Sequence, residues 1–298
     1  MTATSHRLGK TISLQKTARF LQRYLSAAII VFAGCIVLLL WTAVIFLVRL
    51  ERENTIQEVQ TENANLARAF AEHTLRTLNY VDQLSRLITS QYEKLGRQFD
   101  LPRYLEENHV DGKLVINSVI SDASGYTILS SQRTFQPTNL ADREHVKVHV
   151  ARDTGKLFIG KPVFARVAKR WSFVATRRVN NPDGSYGGVV GMAVDPFYFS
   201  TFYSQVDLGK NSLVSLTGVD GIIRARLSNG DQTVGQDVSS GWVFKRYSNL
   251  DHGTVIGPAS TDRIRRIYAF HRVQDYPLYV VVGVSEAMAL AQIGRAHV

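Results

Sequence analysis

Between Tyr24 and Val48 the chain runs 25 residues without a charge, through "AAIIVFAGCIVLLLWTAVIF". At ~1.5 Å rise per residue, a helix of that length exceeds the ~30 Å hydrocarbon layer of a bilayer and can cross it with some tilt. A cleaved secretory leader has an apolar core of ~7–15 residues and a small-residue cleavage site. This run is longer and ends in the bulky "FLVRL". The first 23 residues carry Arg7, Lys10, Lys16, Arg19 and Arg23 and no acid, half of a formal net charge of +10. Basic residues beside an apolar span stay on the cytoplasmic side. The expectation is therefore a cytoplasmic leader (1–23), a transmembrane helix (24–48) and an exported remainder from Arg49 onward. In a bacterium this is a protein of the inner membrane with its outer part in the periplasm.

The rest of the positive excess is spread along the chain, so no nucleic-acid surface is expected. Hydrophobic residues make up 45% of the sequence and charged residues 20%, enough apolar material for a sizeable core. The single cysteine, Cys35, lies inside the apolar run, which excludes a disulfide or a thiolate metal cluster. No cofactor is expected.

From Glu51 to Leu95 there is neither glycine nor proline, and apolar residues recur at Ile56, Val59, Leu66, Phe70, Leu78, Val81, Leu84 and Ile88. Spacings of three and four predict a helix of about 45 residues within 49–97. Its first half, "ERENTIQEVQTENANLARAF", is polar with a narrow apolar seam. That suits a stalk or a parallel homodimer contact; the alternative is a surface helix lying along one domain.

Beyond Asp111 the texture changes to short β-rich runs between turn residues. "LVINSVI", "TILSS", "KLFIG", "WSFVATRRV" and "GGVVGMAV" read as five strands. "NSLVSLTG", "GIIRARL", "GTVIG", "RRIYAFHRV" and "PLYVVVGV" read as five more in the same order. Gly125 and Gly221 stand 96 positions apart, Gly160 and Gly257 97, and Gly191 and Gly283 92. A nearly constant offset predicts two copies of one unit, 98–206 and 207–291. Each is expected to be a five-stranded antiparallel sheet with helices on one side, an α+β arrangement.

The connection from Gln132 to Thr154 is long for a compact domain, and long connections are where binding function tends to sit. It contains "LADREHVKVH". Arg143 has the planar fork that meets a carboxylate with two parallel hydrogen bonds, although a local pair with Asp142 is its plainer role. His145 and His149 share one face of a helix. A metal would need a third ligand, and no His or Cys follows at a suitable spacing. One histidine is expected to donate to an anionic ligand while the other packs. Lys161 in "FIGKP" could add a second positive charge, or be a solvated edge residue. Trp171 opens a strand and either packs or stacks on a ligand. In "FVATRR", Thr176 and Arg178 share one face and Arg177 takes the other. One of these arginines is expected to reach the pocket or to pair with Asp195, itself a candidate strand-ending cap. No nucleophile elbow, zinc-protease helix, phosphate loop or dinucleotide glycine pattern occurs, so catalysis is not expected.

With a basic leader, one apolar helix, a long polar helix and two PAS-like units, the chain resembles the double-Cache (PDC) sensor domains of bacterial membrane receptors. "LADREHVKVH", "LFIGKPVFARVAKRWSF", "RRVNNPDGSYGGVVGMAVDPFYFSTFY" and "SLTGVDGIIRARLS" are similar to the subfamily found ahead of diguanylate cyclase (GGDEF) output domains. The likeness covers about Arg49 to Ala291 and is more specific in the first unit. It implies a ligand pocket in a membrane-distal first module, a membrane-proximal second module, and an output domain that this sequence lacks. A histidine kinase or chemoreceptor input is the alternative, and a membrane-anchored metal-dependent enzyme using His145 and His149 a remoter one. Amino-acid-binding relatives carry an Arg-x-Trp-aromatic element and a last-strand Asp for the ligand ammonium. Here those places look like Arg143, His145 and Val146, with Ala193 at the Asp position. The likeness thus implies a small anionic or carboxylate ligand rather than an α-amino acid. The closing "IGRAHV" is what a common sequencing adapter encodes, so 292–298 is expected to be a non-native tail.

Overall fold

The computed structural model of the chain describes the backbone of residues 4–291 and the side chains of residues 31–291. The leader's side chains and the segment 292–298 lie outside the described residues. Helix α1 (Thr4–Leu95) is followed by α2 (Leu101–Glu107), β1 (Val115–Asp122), β2 (Thr127–Ser130) and α3 (Glu144–Ala151). Next come β3 (Phe158–Phe164), β4 (Trp171–Asn180), β5 (Tyr186–Val194) and α4 (Pro196–Tyr203). The chain continues through β6 (Leu213–Gly218), β7 (Ile223–Ser228), β8 (Asp231–Thr233) and α5 (Trp242–Tyr247). It closes with β9 (His252–Pro258), β10 (Arg265–Val273), β11 (Leu278–Ser285) and α6 (Glu286–Ala291).

Two compact units divide the chain between Thr55 and Ile56. In the first, the apolar residues Val31 to Leu50 of α1 lie exposed, and an 18-residue window there has a mean hydropathy of 2.8 with no part of it buried. By length and composition this helix can cross a membrane.

The second unit holds two antiparallel sheets, ordered β2-β1-β5-β4-β3 and β8-β7-β6-β11-β10-β9. With β8 set aside, the two orders are the same. The second sheet therefore has six strands where five are predicted; "DQT" has no apolar alternation to reveal the extra edge strand. The hairpins β1–β2 and β6–β7 share even their irregularity. Ile120 pairs with Leu129 and Leu216 with Ala225, and in each the register then shifts at the next residue. Gly125 and Gly221 make the same turn at φ +84° and +76°, where an added Cβ would lie 2.7 Å from Ala141 and 2.5 Å from Ser239. Only glycine is comfortable at both. The carbonyls of these glycines accept from Leu140 N and Val238 N, at 2.8 and 2.9 Å. Counting from those turns, Gly283 lies at the level of Ala193 rather than of Gly191: Asn117 pairs with Ala193, and Leu213 with Gly283. The predicted match of Gly191 with Gly283 is thus two residues out of register.

Alternation along the strands builds three layers. One face of both sheets, with Phe173, Ala175, Met192, Leu216 and Val280, joins Leu78, Val81, Leu84 and Ile88 of α1 in a single core. Asn63 Nδ2 donates to Ile267 O at 2.9 Å, and Tyr276 Oη to Asn79 Oδ1 at 3.0 Å. From Asn63 onward the apolar seam of α1 is therefore largely used within the chain, as in the surface-helix alternative, and Phe70 is not free for a dimer contact. The opposite faces are covered by α3 on the first sheet and α5 on the second.

Candidate functional site

Helix α3 lies across the first sheet because Val146 packs with Leu140 and Val189, while His145 and His149 turn inward on the same face. Thr176 of β4 ties it down. Its hydroxyl, fully buried, donates to His145 O at 2.9 Å and lies 2.9 Å from His149 Nε2. A threonine has one proton to give, so with that proton on the carbonyl His149 must be the Nε2–H donor. Burial holds the His149 imidazole down at about 4, opposed in part by Thr176. The ring is a neutral strut.

Between α3 and the sheet lies a cavity of about 40 Å³, room for something on the order of three water molecules. Its walls are apolar, among them Val119, Leu140, Val163, Val174, Val189 and Ala193. Its polar groups are Asn117, Arg143, His145, Arg166 and Thr176, and no acidic residue lines it. Arg143, half-buried at the N-terminus of α3, makes no side-chain hydrogen bond and no ion pair among the described residues. Arg166, by contrast, is held in a fork by Asp142, at 2.7 and 2.8 Å, and donates to Asn139 O at 2.8 Å. His145 is held down at about 4 by burial first, with Arg143 and His149 adding. At neutral pH the lining charge is thus arginine, with one arginine already compensated.

Of the predicted site residues, the structure brings Arg143, His145 and Thr176 to this cavity, with His149 directly behind. It does not bring the other three. Lys161 is exposed in the irregular stretch of β3 between Ile159 and Pro162, within electrostatic reach of Asp220 and Asp237. Trp171 shares the alternation of Phe173 and Ala175, away from the cavity. It is 46% exposed and meets Phe164 edge-on, with ring centroids 6.3 Å apart. Arg178 is on the cavity side but further along, where it donates to His149 O at 2.6 Å and to Asn180 Oδ1 at 2.7 Å, capping the end of α3. Nor does either β4 arginine pair with Asp195. That residue caps α4 through Phe197 N at 2.8 Å and takes Arg170 at 3.0 Å. Asn117 and Arg166 are cavity residues that sequence reasoning passes over. Alternation with Val119 could have found Asn117; Arg166 had no local signal. For a metal, His149 Nε2 is already engaged, and no group of three potential ligands converges among the described residues.

Paired antiparallel sheets on one long helix, with a lidded cavity on the far face, define a ligand-sensor fold of the Cache kind. A family model described as dCache_1_like, histidine kinase sensor domain, matches residues 196–283. That match falls on the second sheet, although the phrases that carried the likeness are clearer in the first. The extracellular domain of a protein assigned as a histidine kinase (rpHK1S-Z16) is 27% identical, covers 79% of this chain and 98% of its own, and superposes with a TM-score of 0.71. The ligand-binding domain of the Pseudomonas fluorescens chemoreceptor CtaA, solved with L-isoleucine, is 15% identical over 81% of this chain and 98% of that one, with a TM-score of 0.62. A Campylobacter jejuni chemoreceptor domain solved with L-norvaline is 13% identical over 79% and 94%, at 0.56. Among curated proteins nothing matches. The fold is the dCache-like sensor fold of histidine kinases and chemoreceptors. Nothing in these comparisons supports the GGDEF type.

Proposed function

We propose that this chain is the extracytoplasmic sensing part of a transmembrane receptor that recognises a small aliphatic monocarboxylate between α3 and the first sheet. The observation that carries the reading is the composition of the cavity: apolar walls, an uncompensated Arg143, and Ala193 where an ammonium partner would be needed. An α-amino acid would leave its ammonium unpaired there, and burying an unpaired charge is costly. The smallness of the cavity favours the shortest chains. A ligand this small gains at most about 1.5 kcal/mol per heavy atom, so the affinity expected is micromolar to millimolar.

The matched kinase and chemoreceptor domains favour one of those outputs over a diguanylate cyclase. The apolar part of α1 anchors the receptor in the inner membrane with the sheets in the periplasm, and residues before Asn63, such as Ile56 and Val59, remain half-exposed for a homodimer contact. Ligand closure acts on α1 only through a difference in affinity between two arrangements of the molecule. Calorimetric titration of the full chain in mild detergent tests the reading. Propionate is expected to bind more tightly than L-alanine and to lose its binding in Arg143→Ala. Tighter binding of L-alanine, or an Arg143→Ala variant that binds undiminished, would overturn it.

A further inference from the structure

The second sheet has a cavity of its own, about 60 Å³, under α5. It occupies the same topological place as the first. Gly241 takes the position of Arg143, since Gly241 N donates to Val238 O as Arg143 N donates to Leu140 O, both at 2.9 Å. The cation has moved. It comes instead from Arg226 on β7, 6% exposed, whose guanidinium donates to Thr261 Oγ1 at 2.8 Å, Gln236 Oε1 at 3.1 Å and Asp262 Oδ2 at 3.0 Å. Where the first cavity has Val119 and Val174, this one has Ser215 and Tyr268.

Two polar groups here are left over. Tyr268 is 3% exposed and its hydroxyl faces the Arg266 guanidinium, itself only a donor, so its own proton meets no acceptor among the described residues, and neither does Arg226 Nε. Both are donors, and a buried donor without an acceptor is costly to keep. The charge is also unbalanced. Asp262 serves Arg226 and, in a fork at 2.8 and 2.9 Å, Arg266. Two arginines against one carboxylate leave one positive charge, which a monoanion would neutralise and a phosphate dianion would overshoot. Desolvation is the largest influence on Arg226 and disfavours its charge, a strain that an anion relieves. Phe244, Val238 and Val281 supply an apolar wall suited to a short alkyl chain.

We infer that this second cavity is a ligand site for a short monocarboxylate, held by Arg226 and Tyr268, separate from the Arg143 cavity and independent of the reading given for it. The chain is then a two-site sensor. The test is titration of the full chain in detergent with propionate, alone and in three variants. Wild-type chain is expected to take two propionates, and Arg143→Ala one. Tyr268→Phe removes one hydroxyl and keeps the ring, so the fold is retained; it should weaken the Arg143-independent site about tenfold or more. Arg226→Gln should abolish that site, with the thermal midpoint of each variant reporting its folding. A single propionate lost in Arg143→Ala overturns the inference, as does a second site indifferent to Tyr268→Phe. A single propionate that ignores Arg143→Ala but is lost in Tyr268→Phe supports it while sinking the first-cavity reading.

Discussion

Arg177 of β4 pairs with Asp82 of α1 on one side of the first sheet, while its neighbour Thr176 holds α3 on the other. The guanidinium also donates to Ser85 Oγ at 2.9 Å and Gly155 O at 2.7 Å, and is 7% exposed. Two adjacent residues of one strand therefore join the layer over the cavity to the helix beneath the sheet, because successive side chains of a strand point to opposite faces.

Removing one partner of a buried pair strands the other charge. Asp82→Ala is expected to destabilise the folded chain by about 3–5 kcal/mol. Asp82→Leu combined with Arg177→Met should recover much of that loss, since no unpaired charge is then buried. Urea titration of the detergent-solubilised variants measures both.

Arg143 is half-buried with no partner, so its removal should leave stability within about 0.5 kcal/mol. Arg143→Ala is expected to unfold at the wild-type midpoint yet to show no propionate-induced stabilisation attributable to the first cavity. A thermal-shift titration distinguishes this from a structural role, which would lower the midpoint without ligand.

Ala193→Asp introduces a carboxylate where the cavity has none. The variant is expected to reverse the order of affinity, binding L-alanine more tightly than propionate, because the new charge pairs with the ammonium and competes for Arg143. Calorimetry with both ligands checks it.

Both imidazoles under α3 are held down near 4, against 6.5 for an ordinary histidine. Between those values the unfolded chain binds more protons than the folded one, so stability rises with pH from about 4 to 6.5 and is level above it. Acidification through that window should cost on the order of 3 kcal/mol per ring. His149→Gln should flatten the slope of unfolding free energy against pH, measured by urea titration at several pH values.

Much of the fold was legible because its signals are local. "WSFVATRRV" is rich in aromatic and β-branched residues and "GGVVGMAV" is an unbroken apolar run, and both became strands. Gly125 and Gly221 announce their turns. Strand β8 escaped because three polar residues on an edge carry no pattern. The offset of Gly191 and Gly283 misled because a glycine common to two strands does not fix the register between them. At the site, Arg143, His145 and Thr176 were found by chemical type. Lys161 and Trp171 were drawn in by their chemistry, yet an irregular register and the alternation of β4 place them elsewhere.

The amino-acid sequence by itself determined the long apolar helix, the two sets of strands and the residue types able to hold an anion, since each depends on neighbours a few positions apart. Only the tertiary structure decided which charges are already spent. Arg166 is silenced by Asp142, Arg177 by Asp82 and Arg178 by the end of α3, whereas Arg143 is left without a partner among the described residues. Pairing is a matter of distances between segments remote in the chain, and no local pattern encodes it.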